Sequence, residues 1–541
     1  MNKTGKILIA SFLMVSYTVG AQDVDKKILN WYNGAKYGMS TDKAYAKLLA
    51  DKKSEAVVVA VIDSGVDIEH EDLQGSIWVN KDEIAGNGID DDKNGYIDDV
   101  NGWSFLGNPD GENINDTQLE VTRIYKALGA KYKGMSDADI DAKDKEEFEL
   151  YKKCRDEVEG AITAANSNLE RYTQIQKGFE DAYAALDKHF GGSYTAKDVK
   201  KAQKDPAIGP YAKQLYPLVK AGLTMDGLKG ELKGAFDHFN SQLTSHYNLD
   251  MNERAIVGDD PSDFSDINYG SNDVEGPDAF HGTHVAGIIA ATRGNGIGSD
   301  GVANNVLIMS VRAVPNGDER DKDVALAIRY AVDNGAQIIN GSFGKAYSPY
   351  QAEVIEAIRY AESKGVLICH AAGNSAKDIG VEPNFPSPKY PGMSAEFTNW
   401  IEVGASTRYK KYKAPNEKKG KPGNNGLAAS FSNYNSEMVD VFAPGLEIYA
   451  TIPDNHYQAI QGTSMASPMV AGVAALLKSY YPKLTMFEIR DIIFASVQEI
   501  DRETPKPGEV GQVPFASLSS TGGIVNVYNA VVLAEVKSAG K

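Results

Sequence analysis

The chain is poor in cysteine: its 541 residues hold two, Cys154 and Cys369. Two thiols so far apart in sequence make no disulfide framework, and both read as buried free thiols, Cys369 within a strand-like apolar run. The chain is also short of positive charge. Lys and Arg number 56 against 74 Asp and Glu, a formal net charge of −18. That balance argues against nucleic acid or an anionic membrane surface as the main partner, and its plain meaning is solubility. Past residue 21 no stretch is long and apolar enough to span a bilayer, so no membrane insertion is expected. The front of the chain is different. Residues 2–6 are basic, 7–20 are largely apolar, and Val19-Gly20-Ala21 supplies small residues ahead of Gln22. This is the pattern of a secretory signal peptide over 1–21, and it predicts export to the periplasm or the extracellular space. No cysteine stands near that point, which excludes lipid attachment there.

Three segments carry the chemistry. Val57-Val58-Val59-Ala60-Val61-Ile62 reads as a strand buried on both faces, ending on Asp63-Ser64-Gly65. The C-terminal ends of such strands are where open α/β sheets hold ligands, although an acid there caps a turn just as readily. His281-Gly282-Thr283-His284-Val285-Ala286-Gly287 reads as a helix start with His281 at its mouth. Imidazole is the natural general base near neutral pH. His284, one turn further in, reads as a buried structural histidine. Gly462-Thr463-Ser464-Met465-Ala466-Ser467-Pro468 opens an apolar run to Leu477. A serine at that place is commonly an N-cap, but the unpaired N–H groups and partial positive charge there also favour a developing oxyanion.

The motifs D-S-G, H-G-T-H-V-A-G and G-T-S-M-A-S-P, in the order Asp63, His281, Ser464, resemble those of the subtilisin-like serine proteases, the subtilase family (peptidase family S8). A fourth match is Ala371-Ala372-Gly373-Asn374. The resemblance implies a secreted serine endopeptidase acting on protein or peptide substrates, with no organic cofactor. Asp63 would orient His281, His281 would carry the proton, Ser464 would be the nucleophile, and Asn374 would complete the oxyanion hole. It also makes Ser342 and Gly344, at the end of the strand-like run Gln337–Gly344, candidate substrate-binding residues, with Asn384-Phe385-Pro386 near the base of the first specificity pocket. The intact set speaks against a catalytically idle scaffold of the same fold.

Strand and helix patterns alternate from Asn305 onward, which predicts a three-layer α/β fold with a mostly parallel sheet. The catalytic domain is expected over 55–115 and 253–541, after a short N-terminal segment, 22–54, that is smaller than the prodomain common in the family. The stretch 116–252 is an excess between Asp63 and His281. Within it Phe148, Tyr151, Val158, Ile162, Ala165, Leu169, Tyr172 and Phe179 recur at helical spacing, and Leu228, Leu232, Phe236, Phe239 and Leu243 form a second stripe. Ser136 and Thr195 look like helix starts and Gly191-Gly192 like a turn. An inserted all-α domain of antiparallel helices is expected.

Residues 90–99 carry the spacing D-x-D-x-N-G-x-I-D. Asp90, Asp92, Asn94, the Tyr96 carbonyl and Asp98 fall at alternate positions, with glycine sixth, as calcium loops require. The twelfth position is Asn101 rather than glutamate, so the segment is a calcium loop outside an EF-hand. A solvated acidic turn is the alternative. A second cluster, Asp259, Asp260, Asp263 and Asp266, has a weaker pattern and predicts no ion.

Overall fold

The computed structural model describes residues 27–409 and 426–540; the expected signal peptide over 1–21 lies outside the described residues. The chain divides into two compact units, one containing Val121–Met251 and the other Val24–Glu120 with Asn252–Lys541.

In the larger unit the strands β1 (Val57–Asp63), β2 (Gly102–Ser104), β3 (Val306–Arg312), β4 (Ile338–Gly341), β5 (Leu367–Ala371), β6 (Trp400–Ser406) and β7 (Val441–Pro444) follow in chain order. After them come the hairpin β8 (Ile448–Ile452) and β9 (His456–Ile460), the short β10 (Gln498–Glu499), the hairpin β11 (Glu503–Pro505) and β12 (Gln512–Pro514), and β13 (Gly523–Ile524). Nine of them form one sheet in the order β10-β13-β7-β6-β5-β4-β1-β3-β2. Only the β10–β13 pair is antiparallel.

The unbroken apolar run of β1 follows from cover on both faces. Val57, Val59 and Val61 pack into a core with the helices Phe280–Ala290 and Thr463–Tyr480, while Ala60 and Ile62 face a second core with the helices Asp321–Asp333 and Gln351–Ser363. This is the expected helix–sheet–helix layering. β1 lies between β3 and β4, so the connections diverge at its C-terminal end, where such sheets open a crevice. The register Ile62↔Gly341 and Gly341↔His370 brings the ends of β1, β4 and β5 side by side.

The N-terminal segment is not a separate element. Trp31, Tyr32, Met39, Ala44 and Leu49 belong to the first core, and the backbone N–H of Val527 donates to Met39 O. Tyr32 Oη and Asn33 Nδ2 both donate to Asp300 O, and Trp31 Nε1 donates to Glu447 O. Its apolar residues are too few and too irregular to announce a face; they serve as plugs.

In the smaller unit the helical stripe predicted from Phe148 to Phe179 is one helix, Lys145–Phe190, of 46 residues, ended by Gly191 in the left-handed conformation. Ser136 and Thr195 form capping boxes as expected. Tyr172 meets Phe239 at 5.7 Å between ring centres, and Tyr183 Oη donates to Leu223 O, so the partner segment around the helix Met225–Ser241 runs antiparallel. Phe179, Leu186, Val199, Leu215 and Leu228 share this unit's own core. No helix among the described residues is long and apolar enough to cross a membrane.

Candidate active site

Asp63 closes β1 and is 1% exposed. Its Oδ1 accepts from the N–H of Ser64 at 2.8 Å and stands 2.7 Å from His281 Nδ1. Burial alone would hold the His281 imidazolium down, but the Asp63 carboxylate outweighs it, and the pKa lies above the ordinary histidine value. A carboxylate at that distance makes Nδ1 the protonated nitrogen and leaves Nε2 as the free base. The approach depends on Gly282: a Cβ there would lie 2.1 Å from Gly65 O, so a larger residue would push the histidine helix off the strand end. Arg312, at the end of β3, fixes the loop beyond Asp63. Its Nε donates to Ser64 O, Nη1 to Ser104 Oγ and Asn113 Oδ1, and Nη2 to Ile114 O. His284 is fully buried, with Nε2 3.1 Å from both Ile448 O and Gln458 O; burial drives its pKa down to about 3, so it is a neutral structural residue.

Ser464 is the second residue of the helix Thr463–Tyr480, among the N–H groups that have no intrahelical acceptor. Pro468 sits four residues on and has no N–H, so the Ser464 carbonyl loses its helical partner. Ser342 replaces it: Ser342 Oγ donates to Ser464 O at 2.9 Å, and Ser464 Oγ donates to Ser342 O at 3.2 Å. Asn340 Nδ2 donates to Ser342 Oγ, and Ser467 Oγ donates to Asn340 Oδ1. The chain Ser467–Asn340–Ser342–Ser464 thus joins the end of β4 to the start of the serine helix. Sequence reading singled out Ser342 for substrate, whereas its side chain here holds Ser464. Asn340, Ser467, Pro468 and Arg312 carried no motif signal that assigned them these tasks.

Asn374 is exposed, but its orientation is fixed. Its Oδ1 accepts from the Thr463 N–H at 2.8 Å and from Thr463 Oγ1 at 3.0 Å, which leaves the NH2 group available beside Ser464. Ser342, Phe343 and Gly344 wall a cleft of about 320 Å³ that also touches Asp63, Phe280, His281 and Glu319. Asn384 lies next to Gly344. Its Nδ2 donates to Ala371 O, and a Cβ on Gly344 would lie 2.6 Å from that nitrogen.

In the acidic loop two of the expected ligands, Asp90 and Asp92, come together with a residue outside the motif. The carboxylate oxygens that converge, all within 4.8 Å of one another, belong to Glu83, Asp90 and Asp92. Asp98 is not among them. Its oxygens accept from the N–H groups of Asn87 and Gly88, and its backbone is in the left-handed conformation. Asn94 lies beside the group, its Nδ2 donating to Asp92 Oδ2, and the Tyr96 ring packs against Trp103 and Tyr330. A set of hard carboxylate oxygens this close together suits calcium. In the second cluster the Lys322 ammonium stands 2.9 Å from Asp259 Oδ2 and Arg254 pairs with Asp259 and Asp323, so a lysine fills the place of a cation there.

The family model described as the subtilase family (Peptidase_S8) matches residues 54–510. A thermophilic serine proteinase of Bacillus sp. (strain AK1) is 33% identical over 371 residues, 68% of this chain and 78% of its own. A thermostable alkaline protease of Halalkalibacterium halodurans is 33% identical over 311 residues, 55% of this chain and 74% of its own. Thermitase of Thermoactinomyces vulgaris is 38% identical over 200 residues, 37% of this chain and 61% of its own. With a family match across most of its length and the sheet that the family's motifs anticipate, the chain belongs to the subtilase family of serine endopeptidases.

Proposed function

We propose that the chain hydrolyses peptide bonds through an acyl-enzyme on Ser464, with His281 as proton carrier, Asp63 as its orienting partner and Asn374 in the oxyanion hole. The observation that carries this reading is the 2.7 Å contact between Asp63 Oδ1 and His281 Nδ1 at the edge of the cleft. It supports a base whose Nε2 is free to accept a proton. As Ser464 Oγ attacks the scissile carbonyl, His281 takes its proton. The hydroxyl must first turn from the Ser342 carbonyl, its partner in the free protein. The oxyanion is met by the Ser464 N–H and Asn374 Nδ2. Collapse of the tetrahedral species expels the amine, which receives the proton from His281. Water then repeats the sequence and releases the acid.

A small fluorophosphonate tests the nucleophile. It should label the intact protein on Ser464, and Ser464→Ala should abolish both labelling and casein cleavage while leaving the fold in place. Labelling on another residue, or cleavage that survives the substitution, would refute the assignment.

Two further proposals attach to this one. A structural calcium ion would be held by Glu83, Asp90 and Asp92, where it would neutralise three converging carboxylates and hold the loop closed. The leader pattern of 1–21 supports export, with action in the periplasm or outside the cell.

A further inference from the structure

One wall of the cleft carries a buried acid that the mechanism does not use. Glu319 is 2% exposed, lines the cleft together with Phe343 and Gly344, and its Oε1 is enclosed without a hydrogen-bond partner. The neighbouring ammonium does not satisfy it. Lys345 Nζ lies 2.9 Å from Glu120 Oε2, 2.8 Å from Asp321 Oδ1 and 2.7 Å from the backbone oxygen of Glu319, so its three hydrogens are directed elsewhere. An enclosed oxygen without a partner is costly in a native fold, and a site that fills on binding recovers that cost.

The other charges of the cleft indicate what would fill it. Arg312 lines the cleft, but its donors are spent on Ser64, Ser104, Asn113 and Ile114. Asp63 is occupied with His281, and Asp278 is exposed at the rim. The ionisable side chain left uncommitted in the cleft is therefore an acid. From this geometry we propose that Glu319 is a specificity-determining residue, whose carboxylate receives the ammonium or guanidinium of a lysine or arginine side chain of the substrate. The proposal rests on the peptidase reading above. A charge-assisted hydrogen bond in a site screened from water gives strong discrimination, because a neutral side chain leaves the acid unpaired.

The electrostatics around Glu319 fit this role. Burial pushes the Glu319 carboxyl well above the usual carboxylate range, with Asp318 and Asp321 adding to the rise and Lys345 opposing it. Burial thus favours the neutral acid, and an arriving cation would draw it to the carboxylate. Selectivity for a basic side chain should rise with pH through that raised pKa.

The test is a positional peptide library followed by matched peptides carrying lysine or norleucine, which share a chain and differ in the ammonium, at the position the library identifies. The ratio of kcat/KM for lysine over norleucine should be about 10 to 100 in the native protein and should approach one in Glu319→Gln, which keeps the volume. Fluorophosphonate labelling of Ser464 reports a folded, reactive site in each variant. With labelling intact, a library that shows no preference for basic residues, or a ratio unchanged by Glu319→Gln, overturns the proposal and leaves the peptidase reading standing. Without labelling and without cleavage of either peptide in the native protein, the peptidase reading fails and takes the proposal with it.

Discussion

Ser342→Ala is the most exacting perturbation, because its cost can be worked from the hydrogen-bond chain. The substitution removes one hydroxyl and orphans two groups, the Ser464 carbonyl and Asn340 Nδ2. Each unpaired group costs about 1–3 kcal/mol when buried; the Ser464 end is partly buried, so the lower half applies to it, and with the buried Asn340 end the total is about 2–5 kcal/mol. Measured in a Ser464→Ala background, which prevents self-digestion and retains the backbone carbonyl, the denaturation midpoint should fall accordingly. Pro468→Ala offers a specific compensation. It restores an N–H four residues after Ser464, the natural helical partner of that carbonyl. A double-mutant cycle between Ser342→Ala and Pro468→Ala should therefore show favourable coupling of about 1 kcal/mol. Additivity within about 0.3–0.5 kcal/mol would show that Ser342 does not hold that carbonyl, and would remove it from the support of Ser464. In the otherwise native protein the same substitution should lower turnover by up to about 100-fold, since a small displacement of the attacking oxygen is enough for such a loss.

Other outcomes follow from the site and the loop. Asn374→Ala should reduce kcat by about 100-fold or more with little change in KM, a magnitude measured for the equivalent donor of subtilisin; unchanged kcat would take Asn374 out of the oxyanion hole. Activity requires neutral His281, whose pKa is raised by Asp63, so kcat/KM should fall with decreasing pH about a midpoint above the ordinary histidine value. Asp63→Asn should move that midpoint down, and a profile indifferent to the substitution would break the assignment. The same raised pKa stabilises the fold below the unfolded histidine value, and that contribution is lost as pH rises through the folded one. Chelation should lower the melting temperature, because an ion bound to the native state alone adds about 2.7 kcal/mol at 100 times its dissociation constant. Asp90→Asn with Asp92→Asn should abolish the response to chelator while Asp98→Asn should leave it, and the reverse pattern would restore Asp98 to the ligand set.

The residues legible in the sequence were those whose task is written locally. A strand buried on both faces must be an unbroken apolar run, so Val57–Ile62 announced itself, and the acid at its end with it. The 46-residue helix was equally plain, since Phe148, Tyr151, Val158 and Tyr172 repeat along one face. What escaped depends on meetings between distant segments. Glu83 reaches the acidic loop because its Oε1 accepts from the N–H groups of Asp91 and Asp92, a fold-back that no residue spacing encodes. The hydrogen bonds of Asp98 to the N–H groups of Asn87 and Gly88 are likewise not written in the spacing. Glu319 was invisible for another reason: in a run rich in Asp, Glu and Arg, an acid reads as surface until burial singles it out.

The stretch from Trp31 to Met39 is tied to Asp300, Glu447 and Val527, residues made long after it. The opening of the catalytic unit is thus finished by its ending. During synthesis these early aromatic residues have no place to go until nearly the whole chain has been made. The N-terminal stretch is a clasp between the start of the unit and segments 268 and 416 residues further along the chain.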